Sequence, residues 1–472
     1  MKKFRSYLLF FGLLATSCGA FLDEEPISNL STNLFWKTDS DIQSARAAMY
    51  ISFANAMSSN YFSWGEVRGE NWDPFQHFGS AQEELINDII PETNSACKWT
   101  DIYETVNRAN LIIKYVPTMS GVDPTIATPT IGEAYAMRAL AYFYIVRVWG
   151  DAPLFLDAVE EFDVNTCLKS REAKEVLLSH VEEDLKTAET YLPEIGSSTA
   201  LDRTYITLPT VYAIQMDLYA WLHRYEEVVR IWEEKITGLP SSKFAFKDFK
   251  AAGPEDESSI LAWRSIVWDE STDLEIFFAV RYDKTGDGRE NDTRAMLCAD
   301  GQRLVLGEAI RSEFDARDIR FRGTCKEYRD EDTGELQSIP YKLEKFWELN
   351  NADIKDYASD NDLIMYRYSD LLLLYAEALN EQNRSAEAIA CVNRTRERAG
   401  LDALPGTLDK EQTAQAVLSE RRFELLGEGK YWFDLVRTGN ALKVAGCSDS
   451  RIPFPIHRDH LLQNSNLEQT QY

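Results

Sequence analysis

The sequence predicts a mainly α-helical protein whose paired helices carry a loop-rich portion and few short strands. Apolar residues recur at intervals of three and four over long segments in both halves of the chain, as in helices with one buried face. Between the halves lie short apolar runs separated by loops rich in Asp, Gly and Asn. With 472 residues, 44% hydrophobic and 12% aromatic, the chain can bury a large core.

The first 17 residues have the order of parts found in a bacterial lipoprotein signal peptide. Lys2, Lys3 and Arg5 precede a short apolar run that leads into Cys18. The run is too short to cross roughly 30 Å of hydrocarbon, so we interpret it as an export signal instead of a membrane-spanning helix. We expect the mature protein to begin at an acylated Cys18. The alternative is a plain secretory signal with an incidental cysteine.

Residues 18–30 are predicted to be a polar tether between the lipid and the folded body. The tether holds one apolar pair, Phe21-Leu22, and the acidic cluster Asp23-Glu24-Glu25. No later stretch offers eighteen consecutive apolar residues, so the lipid is the expected membrane attachment. Residues 31–472 would fit one large domain or two interlocked ones, and a single domain is the preferred interpretation.

Helical periodicity places repeated helix pairs at about 131–236 and 363–445. A two-residue break at His223-Arg224 separates two helices and is typical of a tetratricopeptide-type hairpin, in which each helix covers the other's apolar face. The predicted helices are 39–53, 99–116, 131–148, 173–192, 209–223, 225–236, 365–380, 385–398, 414–428 and 431–444.

Two irregular segments, about 61–99 and 244–361, are predicted to form the loop-rich ligand face. The first carries several tryptophans among polar residues, and the second contains the short runs 260–266, 276–282 and 303–306. Loops held by a rigid helical scaffold are where binding residues concentrate.

The charge balance disfavours nucleic acid as a partner. The formal net charge is -27, whereas phosphate binding relies on Lys and Arg. The six cysteines after Cys18 are scattered and form no CxxC pair, so no disulfide framework is indicated.

Two groups of charged residues are predicted to form structural ion pairs instead of catalytic sites. Glu420, Arg421, Glu424 and Glu428 share a helical face, and we expect a network with Asp434 and Arg437. Arg138 and Arg147 lie on an otherwise apolar helix, so we expect each to pair with a buried carboxylate.

No cofactor is expected, and calcium is the lesser alternative. Asp283, Asp287, Asn291 and Asp292 form an oxygen-rich loop, but Thr285 and Arg294 stand where an EF-hand needs acidic or amide ligands. A solvated turn is the preferred interpretation. The sequence contains no HExxH motif and no GxSxG elbow.

Five groups of residues form an ordered set of signatures along the chain. The first follows Cys18, and the last extends to the C-terminus. The groups are Phe21-Leu22-Asp23, Pro26, Phe35-Trp36 and Tyr50; Tyr103, Asn107 and Ala109-Asn110; Glu133-Ala134, Arg138-Ala139, Tyr142-Phe143, Gly150 and Pro153-Leu154; Arg367-Tyr368, Leu371 to Leu374, Ala376-Glu377-Ala378, Asn393, Arg396 and Ala399-Gly400; and Glu420-Arg421-Arg422, Glu424, Glu428-Gly429, Trp432, Asp434, Arg437, Pro453, Pro455, Asn464, Gln469 and Tyr472. Together they resemble the SusD/RagB family of outer-membrane nutrient-binding lipoproteins of glycan-degrading Bacteroidetes.

The resemblance implies a lipid-anchored, surface-exposed protein of the outer membrane. Such a protein binds an oligosaccharide without catalysis and hands it to a SusC-like TonB-dependent transporter. A minority of the family takes peptides instead. The implied architecture, a tetratricopeptide-like scaffold with a loop-rich ligand face, agrees with the periodicity described above.

A glycan site needs aromatic platforms for C–H faces beside carboxylate and guanidinium groups for hydroxyls. Both loop segments supply such mixtures, and they resemble the parts of the chain where the family places its ligand contacts. The predicted ligand-binding residues are Arg68, Trp72, Asp73, Trp99, Trp268, Tyr282 and Trp347. The alternative for each tryptophan is burial in the core, because tryptophan is usually highly buried.

Two other functions remain open from the sequence. The helix pairs alone would equally suit an interaction scaffold that binds a protein or peptide. A glycosidase would need two carboxylates about 5 to 9.5 Å apart across a cleft. Among 77 acidic residues, proximity in sequence does not identify such a pair.

Overall fold

The computed structural model describes residues 35–74, 80–268, 273–283, 288–291, 304–329, 333, 336–343, 361–445 and 449–470. The predicted signal peptide and tether, including Cys18, lie outside these residues. Trp347 and the side chain of Trp268 also lie outside the description, as do Asp287 and Asp292 of the acidic loop.

The described chain is mainly helical, which confirms the predicted fold class. The helices are α1 Asp39–Gly65, α2 Ala81–Ile86, α3 Thr100–Tyr115, α4 Pro124–Trp149, α5 Val164–Cys167, α6 Lys174–Tyr191, α7 Leu208–Trp221, α8 Tyr225–Ile231, α9 Glu257–Trp268, α10 Glu308–Glu313, α11 Ile319–Thr324, α12 Tyr368–Glu381, α13 Ser385–Arg398, α14 Lys410–Glu424, α15 Tyr431–Arg437, α16 Ala441–Ala445 and α17 Arg458–Gln463. A π-helical turn, Trp232–Ile236, continues α8.

Within the described ranges, six short strands form three separate antiparallel pairs. The strands are β1 Trp72–Pro74, β2 Ile276–Val280, β3 Leu304–Leu306, β4 Cys325–Arg329, β5 Leu336–Leu343 and β6 Leu363–Arg367. β1 pairs with β3, β2 with β6 and β4 with β5. The first two pairs therefore join parts of the chain that are far apart in sequence.

The long helices form a continuous stack, as expected for a tetratricopeptide-like scaffold. α1 packs on α3, α3 on α4, α4 on α6, and α6 on α7. α7 then contacts α8 and α12, and α12 packs on α13 and α14. One hydrophobic core extends through this stack, and α4 is buried along nearly all of its second half.

Five helix-ending turns of the described residues share one geometry. Each places a residue with positive φ after the helix: Asp88 at 52°, His223 at 54°, Asn383 at 63°, Gly400 at 85° and Gly439 at 70°. In each, the next N–H donates to a carbonyl five residues earlier, which satisfies helix-end acceptors in the manner of a Schellman motif. The donor–acceptor pairs are Ile89 to Glu84 (3.0 Å), Arg224 to Tyr219 (2.8 Å), Arg384 to Leu379 (2.9 Å), Leu401 to Arg396 (2.9 Å) and Asn440 to Leu435 (2.8 Å).

Several predicted boundaries were wrong. α1 continues past Phe53 to Gly65, because its second half remains apolar and buried in the core. The predicted ligand-face segment at 61–99 therefore starts inside a helix. The run 260–266, predicted to be loop and short strand, lies within α9.

The C-terminal helices also differ from the prediction. Residues 365–367 belong to β6, whose side chains are all buried and which pairs with β2. α14 ends at Glu424 because Gly427 and Gly429 follow with φ of 81° and 63°. The predicted helix 431–444 is divided into α15 and α16 at Gly439.

The predicted structural ion pairs are confirmed for Arg138, Arg147, Arg421 and Arg437, but the glutamates pair with arginines that the prediction did not include: Glu420 and Glu424 with Arg320 at 2.7 and 3.1 Å, and Glu428 with Arg367 at 2.8 Å. Arg421 contacts Asp434 and Asp370, both at 2.8 Å, and Arg437 contacts Asp434 at 2.7 Å. On the buried side of α4, Arg138 pairs with Asp184 at 2.7 Å and Arg147 with Asp217 at 3.0 Å. These charges satisfy one another inside the core, as buried ions must.

Candidate ligand-binding face

The β1–β3 pair brings together the two loop-rich segments predicted from the sequence. Trp72 lies opposite Leu306, Asp73 opposite Val305 and Pro74 opposite Leu304. We call the surface formed by residues 70–74, β3 and α10 the candidate ligand face. Neither segment forms this surface alone.

Hydrogen bonds continue the junction beyond the paired strands. The Gly307 N–H donates to the Asn71 carbonyl at 2.8 Å, and the Glu308 N–H donates to Asp73 Oδ2 at 3.2 Å. Arg422 of α14 donates from Nε to Asn71 Oδ1 at 2.7 Å. These bonds hold the exposed Asp73 at the start of α10, where a carboxylate is favourable.

Charged side chains occupy the exposed part of the face. Glu70 is exposed, and its backbone has a φ of 60°. Arg422 contacts Glu313 at 2.6 Å. Partial burial and, to a smaller extent, Glu313 raise the pKa of Glu70, while Arg422 lowers it. The net shift is upward, so Glu70 is held less firmly ionised than a free glutamate.

Trp72 lies beneath this surface. Its side chain is 2% exposed and contacts Phe62 edge to face, with ring centroids 4.8 Å apart. Its indole Nε1 has no hydrogen-bond partner among the described residues. A sugar ring cannot stack on Trp72 in this conformation, because the core covers its faces. Trp72 is therefore a core residue, which was the alternative interpretation of each tryptophan in the sequence.

Arg68 and Tyr282 are also buried. Arg68 is 3% exposed, contacts Asp88 at 2.6 Å and lies 4.0 Å above the Trp432 ring. The Tyr282 hydroxyl donates to the Ala54 carbonyl at 2.5 Å. These contacts attach the loops to the helical core, so neither side chain is exposed to a ligand in this conformation.

Trp99 lies in the core beside α17, away from β1. It is 6% exposed and stacks on His460, with centroids 5.2 Å apart and planes 24° apart. The backbone N–H of Trp99 donates to His460 Nε2 at 3.2 Å. Burial, with a smaller contribution from His457, lowers the pKa of His460 to about 4, which keeps this acceptor nitrogen unprotonated.

The face therefore combines one predicted residue with three that the sequence interpretation did not select. Asp73 is exposed on the face, as predicted, and Glu70, Glu313 and Arg422 join it. The polar composition around Trp72 was the available signal for Glu70, whereas Arg422 comes from a helix far along the chain. Ligand contact by any of the predicted residues stays a prediction.

Comparisons with known proteins give the family. A family model described as "SusD family" matches residues 308–467, and one described as "Starch-binding associating with outer membrane" matches residues 20–217. SusD-like protein P38 of Formosa agariphila is 30% identical, with 99% of each chain covered. The chain belongs to the SusD/RagB family. SusD-like protein P25 of the same organism is 24% identical over 91% of this chain and 88% of that protein.

Solved structures share this SusD/RagB fold. A SusD homolog from Bacteroides thetaiotaomicron has a TM-score of 0.76 at 22% identity, covering 92% of this chain and 99% of its own. A protein named "Laminarin binding SusD-like protein" has a TM-score of 0.77 at 20% identity, with the same two coverages. At these identities the likeness shows the fold, and the predicted family and architecture are confirmed.

No helix in the described ranges is both long and apolar enough to cross a bilayer. Lipidation at Cys18 stays a prediction.

Proposed function

We propose that this SusD/RagB protein is a lipid-anchored outer-membrane protein that binds an oligosaccharide and delivers it to a SusC-like TonB-dependent transporter without catalysing a reaction. Family membership over nearly the whole chain is the observation that carries the proposal. The names of two structural neighbours support a carbohydrate ligand: one is called laminarin-binding, and another is called a surface glycan-binding protein from Bacteroides uniformis.

The chemistry of the candidate ligand face fits a sugar ligand. Exposed carboxylates at Glu70 and Asp73 can accept hydrogen bonds from neighbouring hydroxyls. The Arg422 side chain beside them is only 13% exposed, and its Nε and Nη1 already donate to Asn71 and Glu313, so it orders the face and has only its remaining N–H groups for a ligand. Such charge-assisted bonds orient a ligand, while affinity for the C–H faces of a sugar requires aromatic contact.

We assign that aromatic contact to Trp268 and Trp347. Both belong to the predicted second loop segment, and β3 of that segment pairs with β1 at the face. In this arrangement Trp72 supports the face from below, and Asp73 contacts the ligand directly. Arg68 and Tyr282 hold the surrounding loops in place, and Trp99, which lies elsewhere in the core, does not contact the ligand.

The proposal is tested by calorimetric titration of residues 19–472 against α-glucan, β-glucan and mannan oligosaccharides. We expect one class to bind. Asp73→Asn should weaken binding at least about tenfold, because one hydrogen bond to a charged group contributes roughly 1.5–3 kcal/mol. Trp268→Ala should also weaken binding at least about tenfold, because it removes the aromatic surface on which the sugar ring is proposed to pack. Glu227→Gln, on the distant helix α8, should bind as the unmodified protein does.

The same titration decides between cargo classes. If the folded protein binds none of the glycans but binds short peptides, the glycan proposal is overturned in favour of peptide cargo. Hydrolysis of a bound glycan, lost on substitution of one carboxylate, would overturn the non-catalytic assignment.

We further propose that binding requires no metal cofactor. Among the residues that the structure describes, no group of three or more His, Cys, Asp or Glu side chains is arranged to hold a metal ion. Affinity measured in EDTA should equal affinity measured in millimolar calcium. A calcium-dependent affinity would contradict this and direct attention to the 283–292 loop.

Lipidation and delivery have their own tests. Mass spectrometry of the N-terminal peptide should find a diacylglyceryl group on Cys18, and Cys18→Ala should release the protein from membranes. Co-purification of the native protein with a TonB-dependent transporter would support delivery. If cells that lack this protein take up the glycan at an unchanged rate, the delivery proposal is overturned.

A further inference from the structure

An apolar cleft lies on the side of the molecule near Trp99. It has a volume of about 660 Å³ and is formed by the first half of α3, the segment 153–168 and the end of α17. Its walls are mainly apolar, with Trp99, Tyr103, Phe155, Leu168 and Leu467 among the lining residues. We call it the α3–α17 cleft. It contains no residue of the candidate ligand face.

One unusually exposed apolar side chain lines this cleft. Phe162 is 75% exposed, and no large apolar side chain of the described chain has a higher value. A single exposed apolar residue is common, but one that continues the apolar walls of a cleft enlarges a surface that another segment can cover.

The position where the described chain begins indicates which segment this is. Trp36 stacks on Tyr115, with centroids 5.1 Å apart, and the Asp123 N–H donates to Asp39 at 2.8 Å. The start of the described chain is therefore attached near the C-terminal end of α3. The cleft lies at the N-terminal end of the same helix.

The preceding segment is long enough to reach the cleft. α3 has 16 residues and is therefore about 24 Å long. Residues 19–34 can span roughly 50 Å when extended. The apolar pair Phe21-Leu22 can thus lie at the cleft with chain to spare.

Charge favours one direction for the docked segment. The acidic cluster Asp23-Glu24-Glu25 follows the apolar pair. Lys98 precedes Trp99 at the cleft, and its side chain is 52% exposed, with Asp459 at 3.9 Å. Glu161 and Asp163 flank Phe162 in the sequence and are exposed, so acidic residues are disfavoured beside Phe162, whereas Glu160 is paired with Lys114.

We propose that Phe21 and Leu22 of the tether dock in the α3–α17 cleft, with the acidic cluster toward Lys98. Only two residues separate Phe21 from Cys18, a distance of roughly 10 Å. Docking therefore holds this side of the body close to an acylated Cys18. The docking does not depend on the proposed glycan function, and only the orientation relative to the membrane depends on lipidation.

Cys167 provides a readout inside the cleft. It is a partly exposed free thiol that lines the cleft wall. Its alkylation is followed by peptide mass spectrometry in residues 19–472, so that other cysteines do not interfere. The double variant Phe21→Ser/Leu22→Ser should react at least about fivefold faster at Cys167. Ile27→Ser/Leu30→Ser removes equal numbers of apolar side chains from the same segment and should leave the rate unchanged.

A second arm separates docking from a change in folding. Amide exchange in residues 159–168 and α17 should rise in the Phe21/Leu22 variant, while exchange in α12 and α13 stays the same. A peptide of residues 19–30 added to that variant should slow Cys167 alkylation again. When Phe162→Ser is added to both proteins, the difference in Cys167 alkylation rate between the unmodified tether and the Phe21/Leu22 variant should become smaller.

Equal Cys167 rates in the unmodified protein and the Phe21/Leu22 variant would overturn the proposal. Protection that depends on protein concentration but not on Phe21 would also overturn it, because a second copy of the chain would then cover the cleft.

Discussion

Glu424 illustrates how single residues stabilise this protein. Its carboxylate is fully buried and contacts Arg398 at 2.6 Å, Arg367 at 2.7 Å and Arg320 at 3.1 Å. Burial by itself raises the pKa of Glu424, but the three guanidinium groups outweigh it and hold the pKa well below its usual range. The carboxylate therefore stays ionised in the core, where it joins α11, β6 and α13 to α14.

Removing this charge should destabilise the fold strongly. We expect Glu424→Gln to lower the free energy of unfolding by about 3–5 kcal/mol, because three buried guanidinium groups lose a shared partner. Urea unfolding followed by circular dichroism measures the change. Glu227→Gln, which breaks the largely exposed pair with Arg230, should cost less than about 1 kcal/mol. Similar losses in both variants would contradict the argument.

His460 should make stability depend on pH. Its folded pKa of about 4 lies below the roughly 6.5 of an unfolded histidine, so the unfolded state binds more protons between these values. The free energy of unfolding should therefore fall as pH decreases from 7 to 5. Nearby Asp459 opposes the shift, whereas His457 and Lys98 add to it.

The expected contribution at pH 5 is about 1 kcal/mol, after discounting for water around the imidazole. His460→Gln keeps an acceptor for the Trp99 N–H but does not titrate. Urea unfolding at pH 5 and pH 7 should show a smaller pH dependence in this variant. An unchanged pH dependence would mean that other groups account for it.

At the scale of elements, close backbone contact fixes where α1 ends. A Cβ atom on Gly65 would lie 1.9 Å from the Gly429 carbonyl oxygen. Nearby, the Tyr61 hydroxyl lies within hydrogen-bond distance of the carbonyls of Ile364 and Glu428, which share its single hydrogen. The end of α1 thus packs directly against the turn that follows α14, and two glycines make the approach possible.

Gly65→Ala should therefore be strongly destabilising. The added methyl group meets backbone instead of a movable side chain, so we expect a loss of about 3 kcal/mol or failure to fold. Gly253→Ala is the matched control, because a Cβ there meets nothing within 4 Å. Thermal unfolding should distinguish them, with the control within about 0.5 kcal/mol of the unmodified protein. Equal stability of the two variants would show that the contact can relax.

The sequence predicted elements whose signal is local. Helices such as α3, α6 and α13 were placed within one or two residues, because their apolar period is regular. β6 was mistaken for the start of a helix, since a short buried strand and a buried helical turn share one pattern. Burial of Trp72 was not evident, because Phe62, its partner in the structure, lies on α1.

The candidate site was only partly predictable, because only some of its features have a local signal in the sequence. The sequence located the two loop segments and the exposed Asp73, because polar turns and loops have a local signature. It could not show that β1 pairs with β3 or that Arg422 reaches Asn71, because both contacts join residues far apart in the chain.

Viewed as a whole molecule, the protein has a rigid helical stack on which the candidate ligand face is held at a few points. The face depends on one short strand pair and on hydrogen bonds from Gly307, Glu308 and Arg422. Segments with few such bonds open more readily than a packed helical core. Ligand binding should therefore change the dynamics of the face far more than those of the stack.

This expectation is measurable by hydrogen exchange. A saturating glycan ligand should slow amide exchange in β1 and β3 severalfold, because opening of the pair would require release of the ligand. Exchange in α7 and α8 should remain unchanged. Protection confined to the helical stack would place the ligand elsewhere on the molecule.

The contact between Gly65 and Gly429 also has a consequence for biogenesis. It joins the first described helix to a turn near the end of the chain, and neither segment can bury its surface there without the other. During synthesis and export these segments emerge at widely separated times. Apolar surface of the N-terminal helices then stays exposed until the C-terminal segment is available. A chaperone that binds unfolded chains should therefore protect the protein until that segment has been exported.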